Sequence, residues 1–164
     1  MKKKRTSPRY ELDWVNGVVG NARRGVVFMT SAPERIVDIV PFWGTLEATV
    51  KRYFKSSMDT WLRGGNIKSR FHGWNKEGAD DYRGCFVFKK TGKKFAQRIY
   101  GFLCNPKSEE PRFQLCVLAH GLKAKRVQNT DKAILNKLLK LKQDCDPTAL
   151  FLRLLKADSE GREQ

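Results

Sequence analysis

Short runs of mainly apolar residues, separated by polar turns, stand in the middle of this chain. Three such runs predict β-strands, over Gly84–Lys90, Phe95–Leu103 and Phe113–His120. The short polar segment Lys90–Lys94 contains Gly92 and predicts a hairpin turn between the first two strands. A longer turn, Asn105–Pro111, leads into the third strand. The pattern therefore predicts an antiparallel three-stranded meander.

Helical periodicity follows the meander. Leucines recur at helical spacing in Asp131–Gln143, with lysines on the opposite face, which predicts an amphipathic helix. Asp146 followed by Pro147 fits an N-cap and the first helical position. We expect a further helix there, over Thr148–Lys156, and a polar end after it.

The segment before the meander predicts a strand and two helices. Ile36–Val40 is a short apolar run, and we expect Pro41 to end it because proline lacks the N–H that a sheet requires. Thr45 fits the N-cap of a helix that carries an apolar stripe. A second, short helix is predicted over Met58–Leu62, which makes a helical hairpin.

These elements divide the chain into three parts. Residues 1–35 are predicted to be a basic extension, in which Val15–Val19 and Gly25–Met29 are candidate strands of a hairpin. Residues 36–143 are predicted to form the main α+β domain, and residues 144–164 a C-terminal helix and tail.

The charge of the chain indicates what kind of partner it binds. The chain has 33 Lys and Arg against 17 Asp and Glu, a net charge of +16. From Arg83 to Gln143 there are 15 basic and 3 acidic residues, or +12, so the excess is concentrated in the meander and its helix. Such an excess costs self-repulsion and is typical of proteins that meet a polyanion. A basic surface that serves only solubility is the alternative.

The cysteine pattern favours structural thiols. Four cysteines, at positions 85, 104, 116 and 145, include no CxxC pair; two lie in predicted strands, and Cys104 directly follows one. A zinc site needs closer pairs and more histidine than His72 and His120, so we expect no metal and no cofactor. We see no signal peptide and no apolar run of about 20 residues. A reducing cytoplasm and no membrane association are expected.

Candidate chemistry lies on the second strand and beyond the third. Arg98 and Tyr100 fall on one face of Phe95–Leu103, which sets a cation beside a phenol. The segment His120–Arg126 is rich in cations and is expected to be a loop that reaches a ligand. The pair Asp80–Asp81 fits either acid–base chemistry or, more commonly, a solvated loop.

Three short motifs resemble the RelE/ParE toxin superfamily, nearest its HigB-like and phage-derived members. Phe88-Lys89 resembles the Leu-Arg that ends a strand in that family, and Gln97 to Phe102 resembles its Tyr-Arg-hydrophobic-Tyr-Tyr strand. Val117 to Lys125 resembles the LLHGFxKK pattern before its last helix. The resemblance implies an α+β RelE-like domain, with an antiparallel sheet of three to four strands packed by an N-terminal helical hairpin and a C-terminal helix.

The resemblance also implies a function. It predicts the toxin of a type II toxin–antitoxin system, a ribosome-dependent mRNA endonuclease whose partner is a cognate antitoxin protein. In this chemistry the RNA 2′-OH attacks the adjacent phosphate, which requires a base, an acid and cations. The implied catalytic residues are Arg98, Tyr100, His120, Lys89 and His72. The resemblance implies Lys123 and Lys125 as a basic pair near the last strand. We predict that they bind RNA together with Lys90, Lys93, Lys94 and Arg126.

Two departures from the family pattern keep other functions open. Gln97 stands where the family has tyrosine, and Lys89 stands where it has arginine. Lysine lacks the planar fork that binds phosphate through two hydrogen bonds. A ParE-like toxin that binds DNA gyrase, or an inactive relative that binds protein or nucleic acid, is the alternative. Other basic α+β nucleic-acid binders, including phage proteins, also remain.

Overall fold

The computed structural model describes residues 9–32, 37–74, 82–107, 109–110, 112–125 and 132–162. The strands in this part of the chain are β1 (Arg9–Trp14), β2 (Arg24–Ala32), β3 (Phe71–Gly73), β4 (Cys85–Thr91), β5 (Phe95–Cys104) and β6 (Gln114–Lys125). The helices are α1 (Ile39–Thr45), α2 (Ala48–Leu62), α3 (Lys132–Asp144) and α4 (Pro147–Arg162).

All the described strands belong to one mixed sheet. Their order is β1-β2-β6-β5-β4-β3. β2 runs parallel to β6, with Arg24 opposite Gln114, and every other neighbouring pair is antiparallel. β2 contains an uninterrupted buried run, Gly25–Met29. Such a run is typical of a strand that is covered on both faces.

Helices cover the two faces of the sheet in pairs. On one face, Trp43 of α1 packs on Phe28 with ring centroids 5.3 Å apart, and α2 packs on β4. On the other face, Phe151 of α4 stacks on Phe113 at 5.6 Å. On that face α3 packs on β4 and β5, and the Cys85 thiol lies 3.8 Å from the Leu135 carbonyl oxygen. The core therefore has two halves, one on each side of the sheet.

The predicted fold class is wrong in its sheet and in its helices. An antiparallel sheet of three to four strands, packed by an N-terminal helical hairpin and one C-terminal helix, was expected. The structure is α+β, but its sheet is mixed and six-stranded within the described residues, and it carries four helices. The difference arises because β1 and β2 join the meander through the parallel pairing of β2 with β6. Local periodicity holds no information about a pairing between segments so far apart in sequence.

The region before the meander differs for a local reason. The strand predicted over Ile36–Val40 is wrong, since α1 begins at Ile39 and Ile36 lies outside the described residues. Pro41 sits in the first turn of α1, where its missing N–H would have had no intrahelical partner. α2 is one helix of 15 residues, and it includes the segment Met58–Leu62 that was predicted as a separate helix.

The meander strands and the two C-terminal helices are confirmed, but β6 is longer than predicted. It continues through the segment expected to be a loop and ends at Lys125. Its register against β5 shifts by one residue, because Tyr100 pairs with His120 and Gly101 pairs with Leu118. A Cβ at Gly101 would collide with the Val117 carbonyl oxygen, so glycine permits the close approach of the strands at this bulge.

The four thiols are reduced, and two of them are fully buried. Burial raises the pKa of Cys85 to about 11 and that of Cys104 to about 12, because it disfavours the thiolate. Among the described helices, none combines the length and the apolar character needed to cross a membrane.

Candidate nucleic-acid interface

Basic residues of three strands meet where β4 ends, β5 begins and β6 ends. The pairing places Lys90 opposite Gln97, and Gln97 opposite Lys123, so these three form one row across the sheet. Two strand spacings separate the two lysines, or about 10 Å. We call this part of the molecule the cationic end, and it consists of Lys89, Lys90, Lys93, Lys94, Arg98 and Lys123.

The row of Lys90 lies on the face that α2 covers. Lys90 Nζ is 5.4 Å from the centroid of the Tyr53 ring of α2, and the Arg70 guanidinium is 4.4 Å from the same centroid. Each cation–π contact at such a site contributes about 0.5–1 kcal/mol. One aromatic ring therefore holds two cations together at the edge between α2 and β4.

The next row carries Lys89 and Arg98, which are opposite each other on β4 and β5. Lys89 Nζ donates a hydrogen bond to the Lys68 carbonyl oxygen at 2.9 Å. Burial lowers the pKa of Lys89, and the positive charge of Arg98 lowers it further. The two positive charges therefore repel each other across the pair of strands.

An exposed aromatic ring completes the cationic end. Phe95 is 45% exposed, and Lys123 Nζ lies 5.1 Å from the centroid of its ring. Lys93 and Lys94, in the turn between β4 and β5, are exposed. Cations beside an accessible ring are the usual elements of a surface that binds single-stranded nucleic acid.

The lysines of the cationic end have no acidic partners in the part of the chain that the structure describes. The ion pairs recorded there join Arg9 to Glu11, Lys156 to Glu160 and His120 to Asp38. None of them includes Lys89, Lys90, Lys93, Lys94 or Lys123. Among the described residues, no carboxylate therefore neutralises the charge of these lysines.

Two of the residues predicted to be catalytic lie beneath this surface. Tyr100 is fully buried, and its hydroxyl is 3.4 Å from Nη1 of Arg98. The Tyr100 ring lies 6.2 Å from the ring of His120, centroid to centroid. Because Tyr100 is fully buried, its hydroxyl contacts Arg98 and would not contact a nucleic-acid strand bound at the surface.

His120 pairs with Asp38, which precedes α1. Nδ1 of His120 lies 3.4 Å from a carboxylate oxygen of Asp38, yet it is buried without a hydrogen-bond partner. Burial lowers the pKa of His120; Asp38 opposes that change, and Lys137 adds to it. Asp38 is half exposed, so water weakens its influence on the imidazole. His120 is therefore a neutral base at pH 7.

His72 stands apart from the other predicted catalytic residues. It lies on β3 opposite Val87, and Val87 in turn lies opposite Tyr100. His72 and Tyr100 thus share a face but are separated by a strand, about 10 Å. The His72 ring packs on Trp74, with centroids 4.7 Å apart.

The remaining predicted residues are placed only in part. Lys125 ends β6, whereas Arg126 and the pair Asp80–Asp81 lie outside the described residues. The sequence did not single out Arg70, Tyr53 or Asp38. Arg70 stood in a stretch without periodicity, and its position beside α2 depends on tertiary packing.

The comparisons with known proteins add no assignment, since no protein-family model, no curated protein and no solved structure matches this chain.

Proposed function

We propose that this protein binds single-stranded RNA at the cationic end of its sheet. The observation that carries the proposal is the row Lys90–Gln97–Lys123, whose lysines are paired with no described carboxylate. Lys89 and Arg98 form the next row, and their side chains point to the opposite face of the sheet. Exposed Phe95 offers a ring on which a base can stack. The likeness of its motifs to toxins that act on mRNA makes RNA the first polyanion to test.

The salt dependence of binding tests this proposal. The double variant Lys90→Gln/Lys123→Gln loses two phosphate contacts, so the slope of log K against log salt should become shallower by about 1.4. Fluorescence anisotropy of a labelled oligo(U) measures K at several salt concentrations.

The matched control is Lys140→Gln/Lys156→Gln, which removes the same charge from exposed positions on α3 and α4. This variant should keep the slope of the wild type. Equal losses in both double variants would show that net charge alone drives binding, and the cationic end would then not be the site.

A second candidate function is RNA cleavage, as expected for the toxin of a toxin–antitoxin pair. It is favoured by the position of Lys89, Arg98, Tyr100 and His120 on adjacent strands. In this arrangement Arg98 and Lys89 would contact the phosphate and stabilise the charge that develops as the 2′-oxygen bonds to phosphorus. The P–O5′ bond breaks in the same reaction, and the leaving 5′-oxygen takes a proton from water. Tyr100 would position Arg98 through its hydroxyl, and neutral His120 is the nearby group able to accept a proton.

Induced expression in bacteria tests the cleavage candidate. The wild type should arrest growth and cut mRNA, and Arg98→Ala should reduce cleavage at least about 100-fold, since it removes a group that stabilises the transition state. Arg153→Ala, at an exposed position on α4, is the control and should keep full activity. Thermal unfolding checks that both variants fold.

Other outcomes of that experiment are equally informative. Growth arrest with intact mRNA and damaged DNA would point to gyrase. Normal growth on expression of the folded wild type would exclude a toxin.

A further inference from the structure

A cavity of about 660 Å³ lies between the end of α2, the segment that follows it, and β3. Its size falls within the range of small-molecule sites, about 300–1,000 Å³. The aromatic residues of its wall are Trp61, Phe71, Trp74 and Phe86, and its cationic residues are Arg24 and Lys68. No carboxylate is among the described residues that line it. The wall therefore suits a ligand with a flat ring and a negative charge.

Arg24 is the cation of this cavity that two contacts hold in place. Its guanidinium lies over the Trp61 ring, 4.6 Å from the centroid, and Nη1 donates to the Trp61 carbonyl oxygen. Arg24 forms no ion pair within the described chain, and burial lowers its pKa because the charge is partly removed from water. A fixed planar cation that lacks an anion can both stack on a base and bind a phosphate.

The opposite wall and the rim supply the other contacts. Trp74 is half-buried, and its ring packs on His72. Lys68 is exposed, and its carbonyl oxygen accepts the hydrogen bond from Lys89 Nζ. This bond joins the segment at the rim of the cavity to Lys89 of the cationic end.

We propose that the cavity binds one nucleotide, with its base stacked against Trp74 and the Arg24–Trp61 pair. The phosphate lies toward Lys68 and Arg24. The cavity is thus a base-binding subsite of the proposed RNA interface, and it rests on that function for the strand that supplies the nucleotide. The site itself requires only a nucleoside phosphate, so it can be tested without RNA.

The probe is 5′-AMP, titrated into the ¹⁵N-labelled full chain. The indole N–H signals of Trp61 and Trp74 should shift with saturation, whereas those of Trp14 and Trp43 should not. Adenosine, which lacks the phosphate, should bind more weakly. Trp74→Ala should weaken 5′-AMP binding about 10-fold, as read from Trp61, and Trp74→Phe should retain most of the affinity because it keeps a stacking ring.

Charge at the rim has a matched control. Lys68→Gln should weaken 5′-AMP binding, whereas Lys107→Gln, in a different cavity beside α4, should leave it unchanged. Arg24→Lys keeps the positive charge but removes the planar guanidinium. It should weaken the binding of adenosine as well as that of 5′-AMP. These variants change exposed or half-exposed side chains, and thermal unfolding confirms that each one folds.

The outcomes separate the cavity from the RNA interface. If 5′-AMP binds as described but oligo(U) does not bind at the cationic end, the cavity proposal stands and the RNA proposal fails. If oligo(U) binds with the expected salt slope but 5′-AMP leaves Trp61 and Trp74 unshifted, the cavity proposal is overturned. Shifts that persist unchanged in Trp74→Ala and Lys68→Gln would also overturn it, since the nucleotide would then bind elsewhere.

Discussion

His120 shows how the surroundings of a single residue set its protonation state. The side chain is 16% exposed, and its Nδ1 has no hydrogen-bond partner although the Asp38 carboxylate is 3.4 Å away. The other Asp38 oxygen accepts a hydrogen bond from the Gly121 backbone N–H at 3.1 Å. Burial and Lys137 together outweigh Asp38 and lower the pKa of the imidazole. A neutral imidazole is the form that accepts a proton in catalysis.

The same shift predicts how stability depends on pH. In the unfolded chain His120 should titrate near its ordinary pKa of about 6.5, and in the folded chain at a lower pH. Between these two pKa values the unfolded state binds more protons, so the free energy of unfolding falls as the pH falls through this window. His120→Gln should remove that component, and urea unfolding at several pH values from neutral to mildly acidic measures it.

The matched control for this prediction is Lys140→Gln, at an exposed position on α3, which leaves His120 and its neighbours Asp38 and Lys137 in place. It should keep the pH dependence of the wild type. An unchanged pH dependence in His120→Gln would contradict the shift. A wild type that becomes more stable in acid would mean that Asp38, and not burial, dominates the protonation of His120.

At the scale of elements, the sequence predicts what is local. The meander strands follow from short apolar runs and from the polar turn around Gly92, and α3 follows from its leucine spacing. The predicted third strand ends at His120, because Gly121 and the lysines after it are typical of a loop, whereas β6 continues to Lys125. α2 was divided at Ser56 and Ser57, although Ser57 bonds back to the Tyr53 carbonyl oxygen and stays within the helix.

The sequence likewise predicts only part of the candidate site. Charge counting alone predicts a basic meander, and the strand register then aligns Lys90 with Lys123. The sequence does not predict that α2 brings Tyr53 beside Arg70, nor that Tyr100 is fully buried. Alternation shows which residues share a face of a strand, but only the packing of helices decides which face stays open.

At the scale of the whole molecule, β2 connects the N-terminal residues to the rest of the sheet. It lies between β1 and β6, and Val26 and Val27 are almost completely buried. Without β2, the parallel edge of β6 would lose its partner along Arg24 to Phe28, and apolar side chains on both faces would meet water. We therefore expect the sheet to unfold as a single cooperative unit from β1 to β3.

Truncation tests whether the sheet unfolds as one unit or whether, as the sequence predicts, the main domain begins at residue 36. A chain of residues 36–164 lacks β1 and β2, so it should aggregate or show no cooperative unfolding transition, because an unpaired central strand and its apolar contacts are exposed. Removal of residues 1–8 alone keeps both strands and should leave the unfolding free energy within about 0.5 kcal/mol of the wild type. Thermal and urea unfolding, followed by circular dichroism, compare the three chains. Cooperative unfolding of residues 36–164 with a near wild-type free energy would instead establish an independent domain that begins at residue 36.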